Sequence, residues 1–99
     1  MSEPVIITMV IQFKPEVADA ACSGFPAGVE ATRKFKGFRD LKVRRNAEDA
    51  SRVIIIEEWD SKEDYQAYVA WRMTEAGAEA FAATLAGPPQ VDCWPVKIV

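Results

Sequence analysis

Residues 53–72 read VIIIEEWDSKEDYQAYVAWR, and this stretch decides the fold. Four β-branched apolar residues run into Glu57-Glu58-Trp59, the pattern of a buried strand that ends on an aromatic. Alternation puts Val53, Ile55, Glu57 and Trp59 on one face and Ile54, Ile56 and Glu58 on the other. Asp60-Ser61 turns the chain. Ser61 with Asp64 three residues later resembles a capping box, Asp standing where Glu or Gln is usual. The helix from Lys62 to about Met73 directs Tyr65, Tyr68, Val69, Arg72 and Met73 inward and leaves Trp71 on its flank. Trp59, Tyr65 and Tyr68 are therefore expected near one end of one strand–helix pair.

Upstream, Phe38 to Arg45 (FRDLKVRR) reads as a strand with Leu41 and Val43 on one face and Lys42 and Arg44 on the other. The polar run Asn46–Ser51 should close it into a hairpin with the Val53–Trp59 strand. Arg39, Lys42, Arg44 and Arg45 make it the basic part of the chain, either as solvated edge-strand charge or as a contact for an anion or carboxylate. Gly37 follows Lys34 and Lys36 as a helix C-terminal cap. Before it, Val17, Ala21, Phe25, Gly28, Thr32 and Phe35 form a helical stripe that begins at Lys14-Pro15-Glu16. Pro26 should kink or break that helix near residues 23–26. The first strand, Val5 to Phe13, is apolar on both faces, and so is covered on both. Thr8 and Gln12 share a parity there, either as tolerated neighbours of the core or as hydrogen-bonding groups lining a cavity.

Downstream, Thr74 to Ala86 reads as a short Ala-rich helix with Ala78, Phe81, Ala82 and Leu85 inward. Gly87-Pro88-Pro89 ends it. Gln90 to Val99 forms a fourth strand, and Pro95 confines it to a sheet edge or a bulge. The order is β-α-β-β-α(α)-β, an α+β chain with the ferredoxin-like split βαβ topology, expected as one domain over residues 1–99. Helices cover one face of such a sheet. Strands apolar on both faces then call for a homodimer whose sheets pack face to face.

Composition narrows the function. The chain has no histidine, which removes the usual metal ligand, the usual haem ligand and the usual general base near neutral pH. A Ser-His-Asp or Cys-His system cannot be built from it. The acidic residues show no ligand spacing, so no metal is expected. A net charge of −3 argues against nucleic-acid binding. No stretch approaches the roughly 20 apolar residues of a membrane span. The N-terminus, Met-Ser-Glu-Pro, lacks the basic and apolar regions of a signal peptide, so a cytoplasmic location is expected. Cys22 and Cys93 read as reduced thiols used as small hydrophobes, with a disulfide or a reactive thiol as the alternatives.

Three stretches carry a resemblance: Lys14-Pro15-Glu16, Lys36-Gly37-Phe38 and Glu58-Trp59-Asp60-Ser61-Lys62-Glu63-Asp64-Tyr65. Together they resemble the antibiotic biosynthesis monooxygenase family, dimeric α+β barrel proteins related to haem-degrading monooxygenases. The resemblance implies oxidation of an electron-rich aromatic or quinol-type compound with no metal, flavin or other cofactor. The substrate would supply the electrons, and the protein a dry pocket between sheet and helices with hydrogen bonds to a developing phenolate. It implies that Trp59 and Tyr65 line that pocket as the catalytic pair. Quinone-forming members can carry asparagine where this chain has Ile55, and often a histidine where it has Tyr68. Haem degradation needs an axial histidine and is not expected.

The groups left for proton handling are the tyrosines, Arg72, Arg45 and carboxylates such as Glu57. Burial beside Trp59 would raise the Glu57 pKa and suit it to act as a base; otherwise it reaches solvent or pairs with an arginine of the second strand. Tyr68, Arg72, Thr8 and Glu57 are the candidate substrate-binding residues. For Trp59, Tyr65 and Tyr68 the alternative is ordinary core packing. Trp71 and Trp94 are placed at the dimer contact or on the flank. Two functions follow. One is a cofactor-independent monooxygenase-like enzyme acting on a small aromatic or quinol. The other is a non-catalytic dimeric small-molecule-binding or stress-response protein of the same fold.

Overall fold

The computed structural model describes residues 3–99; Met1 and Ser2, on which part of the signal-peptide reading rests, lie outside the described residues. Four strands, β1 (Val5–Gln12), β2 (Phe38–Arg45), β3 (Arg52–Trp59) and β4 (Gln90–Trp94), form one sheet in the order β2-β3-β1-β4. Every neighbouring pair is antiparallel. β3 lies between β1 and β2, which is the split βαβ arrangement that the element order predicts.

Alternation along the strands sorts the two faces. Val5, Ile7, Ile11, Val53, Glu57 and Trp59 are buried beneath the helices. Their neighbours of opposite parity, Ile6, Thr8, Val10, Ile54 and Ile56, are only half-buried on the helix-free face. The buried face holds two clusters. Val5, Ile7, Trp59 and Tyr65 form one; Ile11, Phe13, Ala18 and Val53 form the other. Cys93 packs against the first and Cys22 against the second, so the two thiols serve separate parts of the core.

The first helical segment is a 3-10 turn (Pro15–Val17) followed by three short helices, α1 (Ala18–Ser23), α2 (Phe25–Gly28) and α3 (Glu30–Arg33). The expected break falls at Gly24. Pro26 sits in the first turn of α2, where a missing N–H leaves no helical bond unmade. A second break falls at Val29, after Gly28. It re-phases the stripe, so that Ala18, Phe25, Val29, Thr32 and Phe35 turn inward while Gly28 is exposed.

Gly37 has φ +87°, the left-handed conformation that a side chain disfavours, and its carbonyl accepts from Asp60 N at 2.7 Å. A β-bulge follows: Phe38 faces Trp59 and Asp40 faces Glu58, which leaves Arg39 as the extra residue. α4 (Lys62–Arg72) starts at Ser61, whose Oγ accepts from Asp64 N at 3.1 Å. The reciprocal half of the expected capping box does not form. The Asp64 carboxylate turns instead toward Lys36 Nζ at 3.8 Å and the backbone of Gly37.

The C-terminal third departs most from expectation. α5 spans only Ala78–Ala83. α4 ends at Arg72, and the turn after it rotates the chain, which leaves Met73 72% exposed and Ala82 exposed rather than inward. Phe81 packs edge-to-face with Phe13 at a centroid distance of 6.2 Å and is 40% exposed. β4 stops at Trp94, five residues short of the predicted end, because Pro95 has no N–H with which to extend the ladder. It is an edge strand, as expected.

Candidate functional site

Strand β3 and helix α4 bring Glu57, Trp59, Tyr65, Tyr68 and Arg72 together under α3. Glu57 and Trp59 are two apart and so point to the same face, while Tyr65, Tyr68 and Arg72 recur at intervals of three and four on one side of α4. Trp59 is fully buried, with Phe38, Tyr65, Phe35 and Tyr68 around it at centroid distances of 5.6, 6.0, 6.3 and 5.0 Å. Most of these contacts are edge-to-face or tilted, as the ring quadrupoles favour.

Glu57 is 4% exposed, with Ile7 and Leu41 as its cross-strand neighbours. The only side-chain hydrogen bond it receives among the described residues comes from Trp59 Nε1, at 3.3 Å to Oε1. Burial pushes the Glu57 pKa above its ordinary value of 4.5, against the smaller opposing effects of that bond and of the Arg72 charge. Neither alternative expected for this carboxyl holds. It does not reach solvent, and its nearby cation is Arg72 of α4 rather than an arginine of β2. Parity explains this: Leu41 and Val43 face the helices, while Lys42 and Arg44 belong to the other face.

Burial, reinforced by the Glu57 charge, pushes the Tyr65 phenol up to about 12. It therefore keeps its proton at neutral pH and can only be a donor toward an anion. Tyr68 is held differently. Arg72 Nε donates to Tyr68 Oη at 2.8 Å, and Tyr68 Oη and Thr32 Oγ1 are hydrogen-bonded at 2.8 Å, with either hydroxyl able to donate. Arg72 Nη2 donates to Thr32 Oγ1 at 2.9 Å and also to the Gly28 carbonyl. The guanidinium stacks over Tyr68 and Trp71, 5.5 and 5.4 Å from their ring centres. Arg72 thus ties α4 to α2 and α3, satisfying a carbonyl at the end of α2.

Thr8 does not join this group. It lies on the helix-free face, where Trp94 Nε1 donates to its Oγ1 at 2.9 Å. Its register partners Ile56 and Asp92 share that face, opposite Glu57, so the parity of β1 excludes it from the site. Arg45 is also elsewhere. It pairs with Asp19 at 2.9 Å and sits across from Val53, roughly 20 Å along β3 from Trp59. Trp71, half-buried on the flank of α4, packs on Phe35 and Tyr68. Sequence reasoning missed Thr32 and Phe35 as members of the site. The available signal was Thr32 itself, a hydroxyl on an otherwise apolar helical stripe.

A surface cleft of about 460 Å³ opens between α1–α3 and β2, next to the Glu57 neighbour Leu41, and a second of about 390 Å³ lies at the β2–β3 hairpin. Neither is lined by Trp59 or Tyr65. Among the described residues no group of three or more Cys, Asp or Glu side chains is placed to hold a metal ion, and no helix is long and apolar enough to cross a membrane.

The family model described as antibiotic biosynthesis monooxygenase matches residues 4–85. Solved structures share the fold at low identity. A mutant of SnoaB, a cofactor-independent oxygenase from Streptomyces nogalater, superposes with a TM-score of 0.78 at 12% identity, covering 99% of this chain and 97% of that one. A conserved protein from Methanosarcina mazei gives 0.77 at 16% identity, covering 96% and 94%. PA3566 from Pseudomonas aeruginosa gives 0.74 at 19% identity, covering 98% and 97%. No curated protein matches the sequence.

Proposed function

The chain belongs to the antibiotic biosynthesis monooxygenase family, and from that premise we propose that it is a cofactor-independent monooxygenase-like protein that oxidises a small aromatic or quinol-type compound. The observation that carries the reading is Glu57, a carboxyl enclosed among apolar and aromatic side chains and held by Trp59 Nε1. A base kept from water, beside a phenol that only donates, suits a reaction that makes and stabilises an organic anion. Glu57 takes a proton from an activated ring carbon. The resulting anion gives its electrons to O2, and a C–O bond forms to a peroxide. Glu57 returns its proton to the peroxide, and loss of water leaves a carbonyl. One oxygen atom ends in the product and the other in water. Tyr65 donates to the oxyanion of the substrate ring, and Tyr68, oriented by Arg72 and Thr32, forms the adjacent wall. A homodimer joined through the helix-free faces belongs to the same reading, since it would cover Ile6, Val10, Ile54, Ile56 and the 57% exposed Trp94.

The complete enclosure of Trp59 favours a second reading, a non-catalytic protein that binds a small molecule and uses the aromatic cluster as core. Ile55, which packs with the second core cluster, adds no polar group to a site. Oxygen uptake with anthrone and simple hydroquinones separates the two. The enzyme reading expects protein-dependent uptake that Glu57→Gln lowers by about 100-fold or more, within the usual range for loss of a general base. Trp59→Phe and Tyr65→Phe should slow it by smaller factors. Identical rates with and without protein would leave only the binding reading.

A further inference from the structure

We propose that the cleft between α2–α3 and β2 is a binding site for an apolar organic acid, with the ring or chain on its floor and the carboxylate at its rim. The proposal is independent of whether the chain oxidises what it binds. Its volume of about 460 Å³ is in the range of small-molecule sites. Phe25 and Val29 of α2 and its C-cap, and Leu41 and Val43 of β2, supply an apolar floor. Arg33 stands at the rim from α3; Arg44, whose parity on β2 is that of the helix-free face, lines the cleft from the open edge of the sheet, and neither forms an ion pair among the described residues. The other rim cations are already engaged, Lys42 with Asp40 and Arg45 with Asp19.

The local charge opposes that of the molecule. Residues 39–45 hold four cations and one acid, Asp40, in a chain whose net charge is −3. Edge-strand protection accounts for cations on a strand. It does not account for Arg33, which comes from α3 and reaches the same cleft from the opposite wall. Two guanidiniums with no carboxylate partner among the described residues, Arg44 holding only the Val43 carbonyl through Nη1 at 2.9 Å, flank an apolar floor and match a carboxylate carried by a hydrocarbon body, the chemistry that arginine recognises in preference to lysine. A neutral apolar ligand would leave both unanswered.

The test is a titration of the isotopically labelled protein with 2-naphthoate and, separately, with the neutral 2-naphthalenemethanol, followed by amide NMR shifts. The acid is expected to bind saturably, with shifts centred on Val29, Leu41 and Val43, and about tenfold more tightly than the alcohol. Arg33→Gln/Arg44→Gln should abolish that preference while leaving the alcohol's affinity in place; both side chains are exposed, so the fold is retained. Val29→Trp, which fills the floor, should block both ligands. Raising salt should weaken the acid alone. Equal affinity for acid and alcohol, shifts confined to other surfaces, or no saturable binding by either ligand would overturn the proposal.

Discussion

Trp59→Ala is expected to lower stability by about 3–5 kcal/mol, the range for truncating a fully buried large aromatic. Trp59 has no exposed surface and touches four other rings, so little of the cavity can collapse onto solvent. The loss is a large share of the roughly 5–15 kcal/mol that holds a domain of this kind together. A melting point lowered by roughly 15–30 °C follows for a chain of 99 residues. The indole also carries the hydrogen bond to Glu57, so the variant strands a buried carboxyl. Trp59→Phe removes that bond and a smaller part of the packing than Trp59→Ala, since a phenyl ring still fills most of the site. Chemical denaturation of the two variants beside the parent separates packing from hydrogen bonding. If Trp59→Ala melted within a few degrees of the parent, the indole would not be the centre of this core.

Gly37→Ala should be the second most damaging substitution, for a reason unrelated to the core. At φ +87° a Cβ is strained by itself, and here it would also stand 2.6 Å from Cβ and from Cγ of Asp64. Asp64 belongs to the first turn of α4 and its Cβ is fixed by the helix, so the clash cannot be relieved by a rotamer alone. Strain of about 1–3 kcal/mol adds to an overpacking cost of similar size. Asp64→Gly in the same chain should recover the overpacking part and leave the strain, a coupling that a double-mutant cycle measures directly. Equal destabilisation with and without Asp64 would show that the close approach is not what selects glycine here.

The strand–helix junction was legible because its signals agree. Alternation in β3, the Ser61 cap and the three-and-four spacing of Tyr65, Tyr68 and Arg72 all point to one geometry. Trp59, Glu57, Tyr65, Tyr68 and Arg72 accordingly come together as the pattern predicts. Thr8 was misplaced because a strand's parity says which residues share a face but not which face meets the helices; only the register against Glu57 settles that. Trp71 lies on the flank of α4, one of the two placements expected for it, and packs there on Phe35, which reaches α4 from beyond α3. The first helical stripe failed at Val29 because Gly28, which ends α2, was read as an inward position of the stripe rather than as a helix end. Met73 and Ala82 failed because the phase of α4 does not carry through the turn into α5. The end of β4 was misread, although Pro95 alone gave the reason to stop at Trp94.

Glu57 is a buried carboxyl whose proton affinity is raised by its surroundings and moderated by Trp59. Its titration also sets how stability varies with acidity. A carboxyl whose folded pKa lies above its unfolded one favours the fold below the unfolded value, and that contribution is lost as pH rises through the folded value. The most direct measurement is the carboxyl carbon-13 shift of Glu57 followed against pH in the parent and in Trp59→Phe. The predicted result is a midpoint above 4.5 in the parent and a further upward move in Trp59→Phe, because the indole bond opposes burial. A midpoint at or below 4.5, unchanged by Trp59→Phe, would show instead that Glu57 is an ordinary solvated carboxylate with no part as an enclosed base.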